Sequence, residues 1–463
     1  MIKLYNSLSR SVEEFKPIDE NLVKVYTCGP TVYHYAHIGN LRSYIMEDLL
    51  VRVLKYNGYN VKRVMNITDV GHLSNDNDSG EDKMLKGAER EHKTVQEIAQ
   101  FYTDAFIRDM EALNLEKPDV VEPATRCIDD YIKVISKLLE NGFAYKAGGN
   151  IYFDTSKLEN YHKFFNFKKE DLQVGVREDV TRDDEKKNPN DFALWFTKSK
   201  FENQALKWDS PFGVGYPGWH IECSCISIKH LGEQIDIHCG GIDNAFPHHT
   251  NEIAQSEAYL GHKWCNHWMH IFHLVTPDGK MSKSKGEFLT IAKLKEKGYS
   301  PLEYKYFCYE SHYRKQLMFS TDIFENSVNG YRKLIQKISA ISDEGEVDKT
   351  KFDEYKNKFL NCINDDLNTS NALSVLFEVI KSDISGATKL AIIKDFDRVL
   401  ALNLVNENTQ EQIDEEIIAL ANERLIAKQN KDYQKADEIR NKIISLGYEI
   451  LDKKDGYEIK RAK

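Results

Sequence analysis

Two short strings carry the clearest chemical signal in the sequence. His37-Ile38-Gly39-Asn40 puts an imidazole and a bare glycine where a helix begins, and the N–H groups of a helix N-terminus are ready donors for phosphate oxygens. A histidine there can also hydrogen-bond charge that develops during transfer at phosphorus. Lys280-Met281-Ser282-Lys283-Ser284 follows the turn signal Pro277-Asp278-Gly279, so two ammonium groups sit on a loop able to follow charge onto a departing pyrophosphate. Alone, the first string reads as a helix-capping histidine and the second as a solvated loop. Together, in the two halves of one α/β region, they point to nucleotidyl transfer.

A third signal is the crowding of imidazoles and thiols between Gly218 and His273: His220, Cys223, Cys225, His230, His238, Cys239, His248, His249, His262, Cys265, His267, His270 and His273. Such density points to zinc without choosing ligands, and the absence of a CxxC pair argues against a zinc ribbon or finger. His248 and Glu252 are four residues apart, which places an imidazole and a carboxylate on one helix face. Spacing alone leaves a helix with a buried histidine equally open. The eight cysteines show no dense regular spacing, so they read as thiols or metal ligands rather than a disulfide framework.

The elements that must position these groups follow from periodicity. Val23 to Tyr26 reads as a short strand, and Leu41, Ile45, Leu49 and Val53 recur every four residues as one helical face that Gly58 stops. Asn60 to Ile67 returns as a second β-rich run, so residues 22–68 form a strand-helix-strand unit of a parallel sheet, with Gly29, Pro30, His34, His37 and Gly39 in the nucleotide-binding loop. Further helices run through Val95, Ile98, Tyr102, Phe106 and Leu113, and through Ile128, Tyr131, Ile135, Leu138 and Leu139 to Gly142. Gly148-Gly149 before Ile151-Tyr152-Phe153 reads as a hairpin, and the charge-rich stretch from Lys168 to Asn190 as an excursion from the main sheet. Ile235 to His238 followed by Cys239-Gly240-Gly241 repeats the strand-then-glycine pattern. From about residue 321 helical periodicity takes over, and a polar break at Asn403 to Gln412 sets off a C-terminal module whose first helix carries Ile413, Ile417, Leu420, Ala421 and Leu425.

A chain of 463 residues exceeds what one hydrophobic core organises, so two to four domains are expected. With 41% apolar, 29% charged and 11% aromatic residues it has the composition of a globular enzyme, not of a disordered or fibrous protein. No secretory signal is visible at the N-terminus, and no segment approaches the roughly 18 apolar residues of a membrane span. The net charge of -10 argues against indiscriminate nucleic-acid binding, although phosphate recognition needs only a local basic surface. Residues 421–463 carry eleven Lys/Arg against eight Asp/Glu, a small local surplus that a solvated helical cap would also show.

Thr27-Cys28-Gly29-Pro30-Thr31-Val32-Tyr33, Asp191-Phe192-Ala193-Leu194-Trp195, Gly218-Trp219-His220-Ile221-Glu222-Cys223-Ser224 and Phe246-Pro247-His248-His249, with the two strings above, resemble the cysteinyl-tRNA synthetase family of class I aminoacyl-tRNA synthetases over nearly the whole chain. The resemblance implies an α/β fold: a split Rossmann-type parallel-sheet catalytic domain with an inserted connective region, then a helical bundle and a small C-terminal domain. The boundaries it implies are 1–125 and 206–300 for the catalytic halves, 126–205 for the insertion, 301–402 for the stem-contact and bundle region, and 403–463 for an anticodon-binding domain.

The activity it implies is activation of L-cysteine by ATP with Mg2+ to cysteinyl adenylate, then transfer to the 3′ end of tRNA(Cys), by a cytoplasmic monomer with no membrane partner. His37, Gly39, Asn40, Gly240, Gly241, Lys280 and Lys283 would bind ATP, with His37, Asn40, Lys280 and Lys283 catalytic. Gly29, Thr68, Trp219, His238 and Asp243 would line the amino-acid pocket. One Zn2+ would be held by Cys28, Cys223, His248 and Glu252, with His249 beside it and not binding. A soft metal that bonds the substrate sulfur as a thiolate separates cysteine from serine, which an apolar pocket does by only about 1–3 kcal/mol. The sequence departs from the family pattern at Asn40 (commonly histidine), at Lys285-Gly286-Glu287, at Cys239 (commonly glycine), at Asn244-Ala245, at Val70-Gly71-His72-Leu73, and in lacking a tryptophan among Tyr457 to Lys460. Two rival activities are a cysteine ligase for a small amino-sugar acceptor, which would not need the residues after Asn403, and a silent binding protein, which would not need Lys280 and Lys283.

Overall fold

The computed structural model describes the chain apart from residues 72, 76–78, 83, 85–92, 160, 162–184, 199–205, 278, 281–288, 406–414, 431, 454–455 and 462–463. It divides into two units, Met1–Val405 and Asn406–Lys463.

The first unit is organised by five parallel strands: β1 (Val23–Thr27), β2 (Val61–Ile67), β3 (Val120–Pro123), β4 (Ile235–Gly241) and β5 (Cys265–Ile271). They lie in the order β5-β4-β1-β2-β3. Most residues of β1, β2, β4 and β5 are buried, as in parallel strands covered by helices, whereas β3 at the sheet edge is half-buried throughout. Helix α1 (Ile38–Tyr56) links β1 to β2, and its stripe of Leu41, Ile45, Leu49 and Val53 is wholly buried. Gly58 ends that helix at φ +93°, a left-handed conformation that costs glycine nothing, with its N–H on Lys55 O. Helices α2 (Val95–Ala112) and α3 (Ile128–Glu140) carry the apolar faces expected of them.

The sheet order runs one way from β1 through β2 to β3 and the other way through β4 to β5. In open α/β sheets the crevice at such a reversal, beyond the carboxyl ends of the strands, is where ligands bind. Here it falls between β1, which ends at Thr27, and β4, which ends at Gly241. The chain returns to β4 through an antiparallel sheet of Ala144–Ala147, Asn150–Phe153, Phe192–Phe196 and Tyr216–Pro217 and then helix α4 (His220–Leu231). Gly148 and Gly149, both with positive φ, close the tight hairpin read from the sequence. Of the charge-rich excursion, residues 168–184 lie outside the described residues. Helix α5 (His248–Leu260) joins β4 to β5.

Five helices between Pro301 and Leu400 follow, and their apolar faces join the core of the sheet. The second unit holds helices Glu415–Gln429 and Tyr433–Ser445 and a hairpin, Tyr448–Lys453 with Gly456–Arg461, around its own cluster of Ile417, Leu420, Ala421, Ile439, Ile443, Tyr448 and Ile450. Hairpins that lay beyond the sequence reading include this one, hidden by the helical periodicity before it, and Lys3–Asn6 with Ser11–Glu14 near the N-terminus. Among the described residues no helix is long and apolar enough to cross a membrane.

Candidate metal and nucleotide site

Four side chains from three parts of the chain converge at the carboxyl end of β1. Cys28 is the first residue beyond β1, Cys223 lies one turn into α4, His248 opens α5 and Glu252 follows one turn later. Their ligand atoms all lie within 4.8 Å of one another. His248 Nε2 stands 3.0 Å from Glu252 Oε1 and 3.5 Å from Cys223 Sγ. Glu252 is fully buried, yet Oε1 accepts no well-formed hydrogen bond, which a carboxylate oxygen tolerates poorly unless a cation faces it. Two sulfurs, one imidazole nitrogen and one carboxylate oxygen are a donor set suited to zinc. The residues present therefore fit such an ion.

A ring of aromatic and imidazole groups fixes these donors from behind. His238 Nε2 is 2.8 Å from Glu252 Oε2, and its ring stacks on Trp268 with centroids 4.7 Å apart. His220 Nδ1 meets His248 Nδ1 at 2.9 Å. His249 Nε2 lies 3.4 Å from Cys28 Sγ, and His249 Nδ1 lies 2.8 Å from His270 Nε2. A second set, Cys28, His238, His249 and Glu252, is equally compact, so geometry alone brings His249 as close as the four residues read from the sequence.

The charges follow from burial and proximity. Its hydrogen bond with Cys223, together with burial, pushes the Cys28 thiol well up. Burial opposes ionisation of Cys223 as well, but the bond to Cys28 and the neighbouring His248 bring it down to about 7. Burial works against protonation of His248, yet Glu252 and Cys223 raise it well above the ordinary imidazole range. Burial, reinforced by His238 and His270, pushes His249 well below it. Against the burial that opposes its charge, Glu252 is held low by His238 and His248.

Above the cluster opens a cleft of about 280 Å³ whose wall includes Cys28, Gly29, His37, Asn40, Thr68, Trp219, Cys223, Gly241, Asp243 and His248. Gly29 is required by space: a Cβ there would fall 1.6 Å from Asn66 O. Thr68 Oγ1 donates to Glu222 Oε2 at 2.8 Å and accepts from Asn66 Nδ2 at 3.0 Å, so the protein itself engages the hydroxyl at the cleft wall. His238 and Glu252 sit behind the wall rather than in it, which makes His238 a support for Glu252 and not a lining residue. Gly39 and Gly240 are close-packed: a Cβ would press on the His37 ring at 2.9 Å and on His249 at 2.8 Å. Cys239, one of the departures, is a wholly buried core residue whose thiol burial pushes well up, and it belongs to neither ligand set.

The first motif is a helix cap. His37 Nδ1 accepts the Asn40 N–H at 3.1 Å, and Asn40 Oδ1 accepts the His37 N–H at 3.3 Å, a reciprocal capping box. With Nδ1 an acceptor, the neutral ring carries its proton on Nε2, while the Asn40 amide keeps its NH2 as a donor. Asparagine thus fills the last motif position without loss of function as a cap. Lys280 ends the short strand Gly279–Lys280, which pairs with Leu274–Thr276; Lys283 lies outside the described residues. Two residues unread in the sequence also belong here: Glu47, in the cleft wall, and Arg42, wholly buried on α1. Their one sequence signal is a charge on an otherwise buried helix, which does not name a partner.

The sequence profile of the tRNA synthetases class I (C) catalytic domain matches residues 14–329, and that of the DALR domain matches residues 358–383. The chain is 48% identical to a cysteine–tRNA ligase of Treponema denticola over 97% of its own length and 98% of that protein. It is 40% identical to a cysteine–tRNA ligase of Borrelia turicatae over the full length of both. Among solved structures, a Mycobacterium tuberculosis methionyl-tRNA synthetase bound by methionyl-adenylate superposes with a TM-score of 0.54 at 15% identity, covering 84% of this chain and 89% of that one, a likeness of fold. The chain belongs to the class I tRNA synthetases, in the cysteine–tRNA ligase family.

Proposed function

We propose that the chain activates L-cysteine with ATP and transfers it to the 3′ end of tRNA(Cys), with Cys28, Cys223, His248 and Glu252 holding a zinc ion that selects the substrate. The observation that carries this reading is the convergence of those four donors under a cleft whose other end is the His37–Asn40 helix cap. A zinc ion there supplies a soft Lewis acid that bonds a thiolate far better than a hydroxyl. Gly29 lets the amino acid approach the backbone, and Trp219, Thr68 and Asp243 shape its pocket. His37 Nε2–H and the Asn40 amide are donors for the ATP phosphates, accompanied by Mg2+, at the positive end of α1. Gly241 in the cleft wall gives the nucleotide access to backbone, with Gly240 making room for His249 beside it, and Lys280 and Lys283 neutralise charge on the departing pyrophosphate. Catalysis is positioning and charge stabilisation, with no side-chain nucleophile.

The bundle of residues 301–402 would lie against the tRNA and residues 403–463 would read the anticodon, in a chain that works as a monomer in the cytoplasm. ATP–pyrophosphate exchange with each of the twenty amino acids, followed by transfer to tRNA, tests the reading. Exchange with cysteine alone and charging of tRNA(Cys) are expected. Equal exchange with serine would sink the substrate assignment, exchange without tRNA transfer would favour a small acceptor, and no exchange would favour a silent binder.

A further inference from the structure

The cleft wall holds one charged group that neither the metal cluster nor the nucleotide motifs use. Glu47 projects from α1 and is 1% exposed, and it lines the same cleft as Cys28, Cys223 and His248. Its Oε2 takes a single hydrogen bond from Arg63 Nη2 at 3.1 Å, while Oε1 accepts none. Arg63 leans away, with Nε toward Thr27 Oγ1 at 3.3 Å, and is not part of the cleft wall. Glu47 thus lines the cleft with one carboxylate oxygen buried and unpartnered, which is costly unless a ligand supplies a donor.

Resting on the reading above, we infer that Glu47 Oε1 receives the ammonium group of the bound amino acid and so selects α-amino thiols over plain thiols. In cysteine the nitrogen and sulfur are three bonds apart, so a sulfur held at the Cys28–Cys223 end leaves the ammonium beside the cleft wall. Glu47 is close enough to act electrostatically on Cys28. Burial raises its carboxyl to about 7 in spite of Arg63, and an arriving cation would relieve that penalty. Among the described residues only one other carboxylate, Asp243, lines the cleft, and it is exposed, beyond Gly241 at the end of β4. The hydroxyl of Thr68 and the amide oxygen of Asn66 are already engaged, with Glu222 and with the Gly29 N–H.

The test is calorimetric binding of L-cysteine and of 3-sulfanylpropanoate, which lacks only the ammonium group, to the zinc-loaded full chain. Wild-type protein should prefer L-cysteine. Glu47→Gln should weaken L-cysteine by about 10–100-fold, the loss of one charge-assisted hydrogen bond, and leave 3-sulfanylpropanoate unchanged within error. Because Glu47→Gln strands Arg63, the double variant Glu47→Met with Arg63→Met removes both charges together and should show the same loss of preference. Equal weakening of both ligands would mark Glu47 as merely structural, and a preference lost in Asp243→Asn but kept in Glu47→Gln would move the anchor; either overturns the inference. Cysteine-dependent pyrophosphate exchange by the wild-type chain separates the two levels: without it the parent reading fails, while exchange together with an unchanged preference in Glu47→Gln sinks only the role of Glu47.

Discussion

At the residue scale, two of the metal donors hold protons that a cation must strip. Cys28 is pushed up and His248 is raised, Cys223 at about 7 is part-ionised near neutrality, and Glu252 is held low and already charged. The sign follows: zinc affinity should rise as pH rises between about 6 and 8, and a chelator competition that gives a flat profile would count against this donor set. Support from behind has its own measurable share. His238→Asn removes the bond that orients Glu252 and should weaken zinc about 10–100-fold while leaving one ion per chain at saturation. An unchanged affinity by the same competition would return His238 to the amino-acid pocket. The four donors were legible as types in the sequence, but spacing singled out only His248 and Glu252, since Cys28 and Cys223 come from elements about 200 residues apart. Nor did spacing separate His249 from His248, for both lie in the cluster; the choice came from resemblance.

At the element scale, α1 carries three separate tasks. Its cap presents His37 and Asn40, its middle carries Glu47, and between them Arg42 reaches four backbone carbonyls: Phe272 at 2.6 Å, His273 at 2.9 Å, His312 at 3.2 Å and Lys315 at 2.7 Å. Arg42 thus pins the helix that bears the first motif to residues 312–315 and to the segment just before Leu274–Thr276, the strand that pairs with that of Lys280. Arg42→Met would leave the Phe272 and Lys315 carbonyls without a donor, while those of His273 and His312 keep the N–H groups of Leu317 and Lys315, at a cost of about 2–5 kcal/mol, and Arg42→Lys, a point charge without the planar fork, should recover little of it. Thermal unfolding of both variants checks this, and a melting point equal to wild type would show the carbonyls are satisfied otherwise. The cap makes a sharper prediction. Asn40→Asp keeps the oxygen that accepts the His37 N–H but removes the NH2 donor and adds negative charge. Melting should be unchanged, whereas KM for ATP in pyrophosphate exchange should rise at least about tenfold. Periodicity made this helix, its stop at Gly58 and the parallel unit around it readable; the partners of Arg42 and Glu47 were not, because they lie on other elements and leave no periodic trace.

At the scale of the whole molecule, the two units carry separate apolar clusters. One cluster of Met1–Val405 joins the sheet to the helices through Leu404 and another packs Tyr131, Trp195, Cys223 and Trp268 together, while the second unit closes its own from Ile417 to Ile450. The polar break at Asn403 to Gln412 in the sequence foreshadowed this division, although the hairpin that completes the second unit did not show through. A core that is closed locally loses nothing when the rest is removed, so a chain ending at Val405 should fold and keep the metal cluster, the cleft and the α1 cap intact. If residues 406–463 serve only to read the tRNA, that truncated chain should sustain cysteine-dependent pyrophosphate exchange within a few-fold of the full chain. Charging of tRNA(Cys) should instead fall by about 10–100-fold, the loss of contacts made by a separate binding module whose tethering adds effective concentration. The discriminating measurement is the ratio of the two activities: a truncation that lowers both equally would mean the second unit supports the catalytic core, and one that lowers neither would remove it from tRNA recognition.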